Sequence, residues 1–465
     1  MIFPKYFTQK AIQSFIGVLV ICFMIFYNKP LGLEWVIFDL CAVIGFFVFS
    51  NSLSKNWANY STATYEKKLF IIALFIRITW VIFSYGYYTY ATGQPFEYET
   101  GDAVGYHGEA QWIAGLFADG KFETYQKYIG INYADMGYPT YLGSLAYLVG
   151  DSVIVPRILK AIWGALTCLL IYRIAKNNFG ESVGRMAGIF AMLLPNLIYY
   201  TGLHVKETEM VTIVVSFAYF GDKILRASKI KFSDFVWLAL LGALLFFFRT
   251  VLAVCLIASV GIALFFTSRK VTLIGRRLGL LALGIIGLAV ILSTPLQGVI
   301  FKYVEESNTN LDQQMLSYSK YTTNVNKFAQ YGSKSIFLPM MLVAPFPTLV
   351  NTAQPNPMML GGAFFTRNVY AFFVLLALIS LYKKKAIGEH IFLLSCLFSY
   401  LLVVGSTGFA LSERFHMPAV PFLLIFAAFG VSQLNQKNKK YYVPYLLFIG
   451  LIVVGWNWFK VAGRA

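Results

Sequence analysis

The chain has 465 residues, 58% of them hydrophobic and 13% charged, with a mean hydropathy of +0.65. A soluble fold of this size has too little interior to hide that much apolar surface. The net charge of +17 would point to nucleic acid in a soluble protein. In so apolar a chain it points to Lys and Arg in cytoplasmic loops, and no nucleic-acid partner is expected.

In chain order, apolar runs predict thirteen helical spans, at about 11–27, 33–49, 69–91, 152–173, 183–200, 207–225, 232–248, 251–267, 278–294, 364–382, 388–405, 417–433 and 443–460. Each runs close to the length needed to cross a hydrocarbon core of roughly 30 Å. The first run has no small-residue cleavage site after it and reads as a retained span. Segment 138–150 is apolar but short and broken by Gly and Pro, which suits an interfacial segment. Cys22, Cys41, Cys168, Cys255 and Cys396 all fall in apolar runs without CxxC spacing, so they read as small core hydrophobes.

With the N-terminus inside, the inner loops contain SKNWANYSTATYEKK, RIAKNNFGESVGR, DKILRASKIK, SRKVTLIGRR, YKKK and NQKNKK, all basic. That alternation satisfies the positive-inside rule; dropping one span would put basic loops on the wrong side. Stretch 232–267 must then be a hairpin, with Arg249 at its outer turn. Two outer loops are large, 92–151 and 295–363; the second half of the latter is apolar and proline-rich, as in a segment lying in the outer interface. The chain reads as one membrane domain: an N-terminal hairpin and inner loop (1–68), a core (69–294), the loop 295–363, and C-terminal helices (364–465).

The first outer loop gathers Glu97, Glu99, Asp102, Glu109, Asp119, Glu123 and Asp135 against Lys121 and Lys127. After Asp102, the residues Ala103, Tyr106, Ala110, Ile113 and Ala114 repeat at helical spacing. An acid at the start of a helix is held ionised by the helix dipole and can accept a proton from a hydroxyl. It can also serve only as an N-cap. A second acidic place is the turn YYTGLHVKETEMV, where Glu207 and Glu209 open a span beside His204 and Lys206. Outer cations are scarce: Arg157 and Lys160 at the start of the fourth span, Arg249, Arg367, and Arg414 with His416. Arginine suits phosphate because its planar fork holds two oxygens, although any one of these side chains can simply snorkel to the interface. Arg249 and Arg414 are the stronger phosphate candidates, with Lys206 a third. No GxxxxGK[ST], HExxH or GxSxG occurs, and the four histidines form no helical metal pair.

A span followed by a large outer loop and then DAVGYHGEAQWIA resembles the D-x-x-x-Y-x-x-x-A neighbourhood of GT-C glycosyltransferases that use polyprenyl-phosphate sugars. Protein O-mannosyltransferases and bacterial aminoarabinose transferases are relatives in outline. YPTYLGSLAYLVG, VPRILKAIWGALTCLLIYRIAKNNFG and VGRMAGIFAMLLPNLIYYTGLHVKETEMV resemble the family's first-loop proline segment and next spans. ERFHMPAVPFLLIFAAFG is similar to its late R-[YF]-x-x-P-x-x-P segment, and the likeness runs loosely over 69–433. The resemblance implies an all-α GT-C-like fold and a polyprenyl-phosphate sugar as donor. The acceptor hydroxyl would belong to a glycan, lipid or protein, and transfer would invert the anomeric carbon on the outer side of the cytoplasmic membrane. It implies Asp102 as general base, Glu207 as an orienting acid with Glu209 as alternate, and Arg249 and Arg414 as neutralisers of the leaving phosphate. Glu99, Tyr106, His107, Glu109, His204, Arg367 and His416 are further candidates for substrate contact. Many relatives carry Asp-Glu where this chain has Asp102–Ala103, so no cofactor and at most a weak dependence on a divalent cation are expected.

Two rival readings make different demands. A lipid-linked glycan polymerase or ligase would work through Arg414 and His416. A transporter would need broken helices and mid-span polar residues, for which Glu34, Asp39 and Arg77 are the candidates.

Overall fold

A computed structural model describes residues 1–98, 101–133, 135–227, 231–266, 340–351, 358–406 and 412–462. The predicted span 278–294, Glu99 and most of the loop 295–363 lie outside the described residues. Among the described residues the regular structure is helical, with one isolated bridge between Pro30 and Val350.

Three long helices open the chain: α1 (Lys5–Ile25), α2 (Leu33–Asn56) and α3 (Thr62–Thr92). Then come three shorter ones, α4 (Gly101–Ala118), α5 (Phe122–Asn132) and α6 (Gly137–Val149). The central bundle consists of α7 (Ile154–Phe179), α8 (Glu181–Leu193), α9 (Pro195–Tyr199), α10 (Glu207–Arg226), α11 (Phe232–Phe248) and α12 (Thr250–Phe266). The C-terminal part has α13 (Leu360–Lys383), α14 (Ile391–Ser406), the four-residue α15 (Glu413–His416), α16 (Val420–Ser432), α17 (Gln436–Lys439) and α18 (Tyr442–Ala462). Helix α7 packs on α3, α8 and α10, while α16 packs on α13 and α8.

Eight helical segments are long and apolar enough to cross a membrane, and nine if the bent pair α8–α9 is one span. The expected thirteen therefore reduce to eight or nine among the described residues. Helices α11 and α12 are apolar but 17 residues each, and α10 carries charges at both ends. The segment expected at the interface is the helix α6, seated against α4. The 232–267 hairpin forms as expected, broken at Arg249 by an extended conformation (φ −168°, ψ 103°).

The expected continuous span 183–200 is corrected by its bend. It breaks after Leu193, and the next helix leaves at 54°. Pro195 is the cause, because it has no N–H to give the carbonyl of Ala191. Arg77, fully buried on α3, replaces the lost donors: Nη2 bonds Ala191 O at 3.1 Å and Nη1 reaches Met192 O at 3.5 Å. A Cβ on Gly164 would lie 2.6 Å from the Arg77 Nε, so the small residue on α7 makes room for the guanidinium. Asp39 has a comparable duty, with Oδ1 accepting from the Gly362 N–H at 2.7 Å in the first turn of α13. Two of the three polar groups that a transporter would need at mid-span thus serve helix ends. The third, Glu34, accepts from Tyr87 at 3.4 Å.

Basic and acidic side chains pair at one end of the bundle: Arg173 with Glu66, Arg185 and Lys176 with Glu181, and Lys223 with Asp234. The opposite end gathers the loop after α3, helices α4 to α6, the turn 203–206, Arg249 and α15.

Candidate active site

Two carboxylates reach this end from separate helices, each in the first turn. Asp102 is the second residue of α4, inside the helix and so not its N-cap, and Glu207 is the first residue of α10. Both positions favour a negative charge, because unpaired N–H groups and the helix dipole face them. Between them lies Arg414 of α15. Its Nε donates to Glu207 Oε1 at 2.8 Å, and its Nη1 donates to Asp102 Oδ2. Exposure separates the two acids: the Asp102 side chain is 58% exposed and that of Glu207 is 1% exposed. Asp102 can meet a ligand, whereas Glu207 is buried against the arginine.

Further cations border the pair. Buried Lys206 is ion-paired with the exposed Asp135, whose φ of 74° turns the chain between α5 and α6. Burial lowers the Lys206 ammonium from its usual range, and Asp135 opposes that shift. The Arg249 guanidinium lies 4.5 Å from the ring centre of Phe415. Tyr106, one turn after Asp102, has the Lys206 ammonium 5.9 Å from its ring; burial first and Glu207 second raise its hydroxyl above its usual range.

A second cluster lies behind this one. Lys160 donates to the carbonyls of Leu203 (2.8 Å) and Val205, fastening the turn that leads into Glu207. Glu209, the alternate acid, is buried against Lys160 at 3.6 Å, a distance that makes an ion pair without a hydrogen bond. Arg157 holds the loop after α3 through Pro95 O at 2.6 Å. His204 is buried, with no partner on either nitrogen among the described residues, packed against His107, Phe96 and Tyr138 at 5.5–6.3 Å between ring centres. Burial, and then the nearby Lys160 and Arg157, push its pKa down to about 2, so it is neutral at physiological pH. Burial also raises the Glu97 carboxyl, against the pull of Arg157 and Lys160.

The other sequence candidates fall elsewhere. His107 points to Asp151 at 3.4 Å, and Glu109 accepts from Tyr128 at 3.2 Å. Arg367 is fully buried in α13, where Nη2 bonds His416 Nδ1 at 2.8 Å. An arginine can only donate, so His416 Nδ1 is the acceptor and the ring proton sits on Nε2. A fully buried, tethered His416 is a poor nucleophile or base for the polymerase or ligase reading. Among the described residues, no three His, Cys, Asp or Glu side chains cluster as a metal ion would need. The space between Asp102 and Glu207 is occupied by a guanidinium.

Sequence reasoning passed over Asp135, Asn196 and Glu413. Asp135 was legible only as one of seven outer acids. Asn196 follows the proline that bends the fifth span, and that proline was the available signal.

Residues 138–295 match the family described as dolichyl-phosphate-mannose-protein mannosyltransferase. The match supports a membrane glycosyltransferase of the GT-C type. It takes in α6 to α12, hence Glu207 and Arg249, and leaves Asp102 and Arg414 outside. No curated protein and no solved structure matches the chain.

Proposed function

We propose that this GT-C-type enzyme moves a sugar from a polyprenyl-phosphate donor to an acceptor hydroxyl, with inversion, at the outer face of the cytoplasmic membrane. The observation that carries the reading is Arg414, held between an exposed and a buried carboxylate at one end of the bundle. The acceptor oxygen attacks the anomeric carbon as the bond from that carbon to the lipid phosphate breaks. Asp102 takes the hydroxyl proton, and the phosphate leaves as an anion. Arg414, with Lys206 and Arg249 beside it, neutralises the charge that develops on the leaving oxygen, the contribution expected to be largest. Glu207 does not touch the acceptor in this scheme; it holds the arginine. The outer-face assignment rests on the charge bias of the loops, since the basic connections lie at the end opposite Asp102.

Purified protein offered a panel of polyprenyl-phosphate sugars together with membrane extract tests the reading. Wild type transfers sugar, and Asp102→Asn loses about 10²-fold, as expected for a missing general base. Equal transfer by the two proteins overturns the role of Asp102. Failure of every lipid-phosphate donor overturns the donor class.

A further inference from the structure

All four residues of α15 are engaged, in different directions. Arg414 faces Asp102 and Glu207, and Phe415 lies beneath the Arg249 guanidinium. Glu413 and His416, three apart and so on one face of the turn, point into the bundle and are buried. Glu413 Oε1 accepts from the Asn196 side-chain amide, and its Oε2 lies 3.9 Å from Arg367 Nη1. His416 accepts from the same arginine at 2.8 Å. Arg367 is itself fixed by Met341 O at 3.1 Å. Asn196 comes directly after Pro195, so the 54° bend that Arg77 caps also sets where the Asn196 amide lies.

Arg414 lies in the first turn of the 20-residue helical segment Glu413–Ser432, so the place of its guanidinium depends on how that first turn is anchored. Of its two ion pairs, the one with half-exposed Asp102 holds it weakly, and the one with buried Glu207 holds the guanidinium from the side of the site. On the other face of the turn, the buried bonds of Glu413 and His416 fasten its backbone to the bundle. We infer that Asn196, Glu413 and Arg367 are positioning residues for Arg414. Through the bend at Pro195 they hold its guanidinium where the departing phosphate of the proposed donor develops charge. The inference rests on the reading of Arg414 as a phosphate-binding residue. Glu413 and Asn196 touch neither donor nor acceptor; they act through the arginine.

A double-mutant cycle separates this role from plain structural support. The full-length protein in detergent, with a polyprenyl-phosphate sugar it accepts, is compared as wild type, Asn196→Ala, Arg414→Ala and the double variant. Thermal unfolding is recorded for each. Misplacement of a catalytic group by an ångström costs about 10²-fold, so Asn196→Ala should lower kcat by roughly 10- to 100-fold. In the Arg414→Ala background it should have almost no further effect on kcat, because the group it positions is gone. A loss that multiplies undiminished in the double variant, or no loss in Asn196→Ala, overturns the inference. The exchanged pair Asn196→Asp with Glu413→Gln reverses the hydrogen bond and keeps one carboxylate within the pair. It should recover most of kcat, and failure to recover despite wild-type Tm also overturns the inference. If Arg414→Ala itself transfers sugar as well as wild type, it is the underlying reading of the site that falls.

Discussion

Replacing Arg414 by Gln removes the only described cation that bonds both Asp102 and Glu207, and the two arms differ sharply in what they contribute. Glu207 is 1% exposed, and among the described residues its second oxygen has no partner. Without the guanidinium this buried carboxylate loses its hydrogen-bonded counter-ion and keeps only the more distant charges of Lys160, Lys206 and Arg249, a loss of up to about 3–5 kcal/mol. Asp102 is 58% exposed, where an ion pair is worth only about 0–1 kcal/mol. Nearly all the lost stability should therefore come from Glu207, and Glu207→Gln placed in the same chain should recover most of it. Activity should behave differently. Removing a charge stabiliser of the leaving group costs about 10²–10³-fold in kcat, and the double variant should stay as slow as the single one. The assay is thermal unfolding in detergent beside sugar transfer for wild type, each single variant and the pair. An Arg414→Gln protein that melts with wild type, or a double variant less stable than Arg414→Gln, refutes the assignment of the buried arm.

Two further predictions concern the surroundings. His204 has a folded pKa of about 2 against an ordinary value near 6.5, so between these values the unfolded chain binds the extra proton. Its contribution to stability is full above pH 6.5 and falls by about 1.4 kcal/mol per pH unit below it; His204→Phe should melt with a shallower loss between pH 7.5 and 5 than wild type, and identical slopes count against a buried neutral imidazole. Gly164→Val should lower Tm sharply, because the new Cβ meets the Arg77 side chain at 2.6–2.7 Å and the guanidinium cannot leave Ala191 O without orphaning it; a cost of about 1–3 kcal/mol is expected from overpacking alone, and unchanged Tm would show that the bend does not need Arg77.

Glu207 and Arg414 were legible as candidates because each is a charge at the edge of an apolar run, where charges are costly and usually serve a purpose; Asp102, in an acidic loop beyond the third span, was legible through the helical spacing after it and the family resemblance. Their meeting was not legible. Arg414 is 312 residues from Asp102 and 207 from Glu207, and no local period records a contact of that range. Arg367 and His416 looked like outer polar groups and are instead buried supports, since hydropathy reports how close a residue lies to the membrane edge but not which way it faces. The bend at Pro195 was hidden for a related reason. The apolar run continues through the proline, so composition reads one span where hydrogen bonding requires two pieces. Arg77 and Asp39 looked like mid-span polar groups fit for transport; each satisfies backbone groups at a helix end, a need that sequence shows only once the helix ends are known.

The Arg414–Asp102 pair sets the proposed base and the proposed phosphate ligand against each other. In the structure the guanidinium bonds the carboxylate that the proposed mechanism needs as proton acceptor. A donor phosphate is a stronger, bidentate partner for arginine, and taking it up would draw Arg414 away from Asp102 and leave that oxygen free for the acceptor hydroxyl. Glu207, buried and bonded through Nε, keeps the arginine in place during the exchange. Removing the charge of Asp102 should therefore have opposite effects on binding and chemistry. Asp102→Asn should lower kcat by about 10²-fold, while the donor KM stays level or falls, because the phosphate no longer competes with a carboxylate. Arg414→Gln should instead raise the donor KM as well as lower kcat. Initial rates over a range of donor concentrations at saturating acceptor distinguish the two patterns. A donor KM that rises in Asp102→Asn would mean that the aspartate holds the donor and does not compete with it. The base would then have to be sought among the other exposed carboxylates at this end, with Asp135 beside Lys206 the first to test.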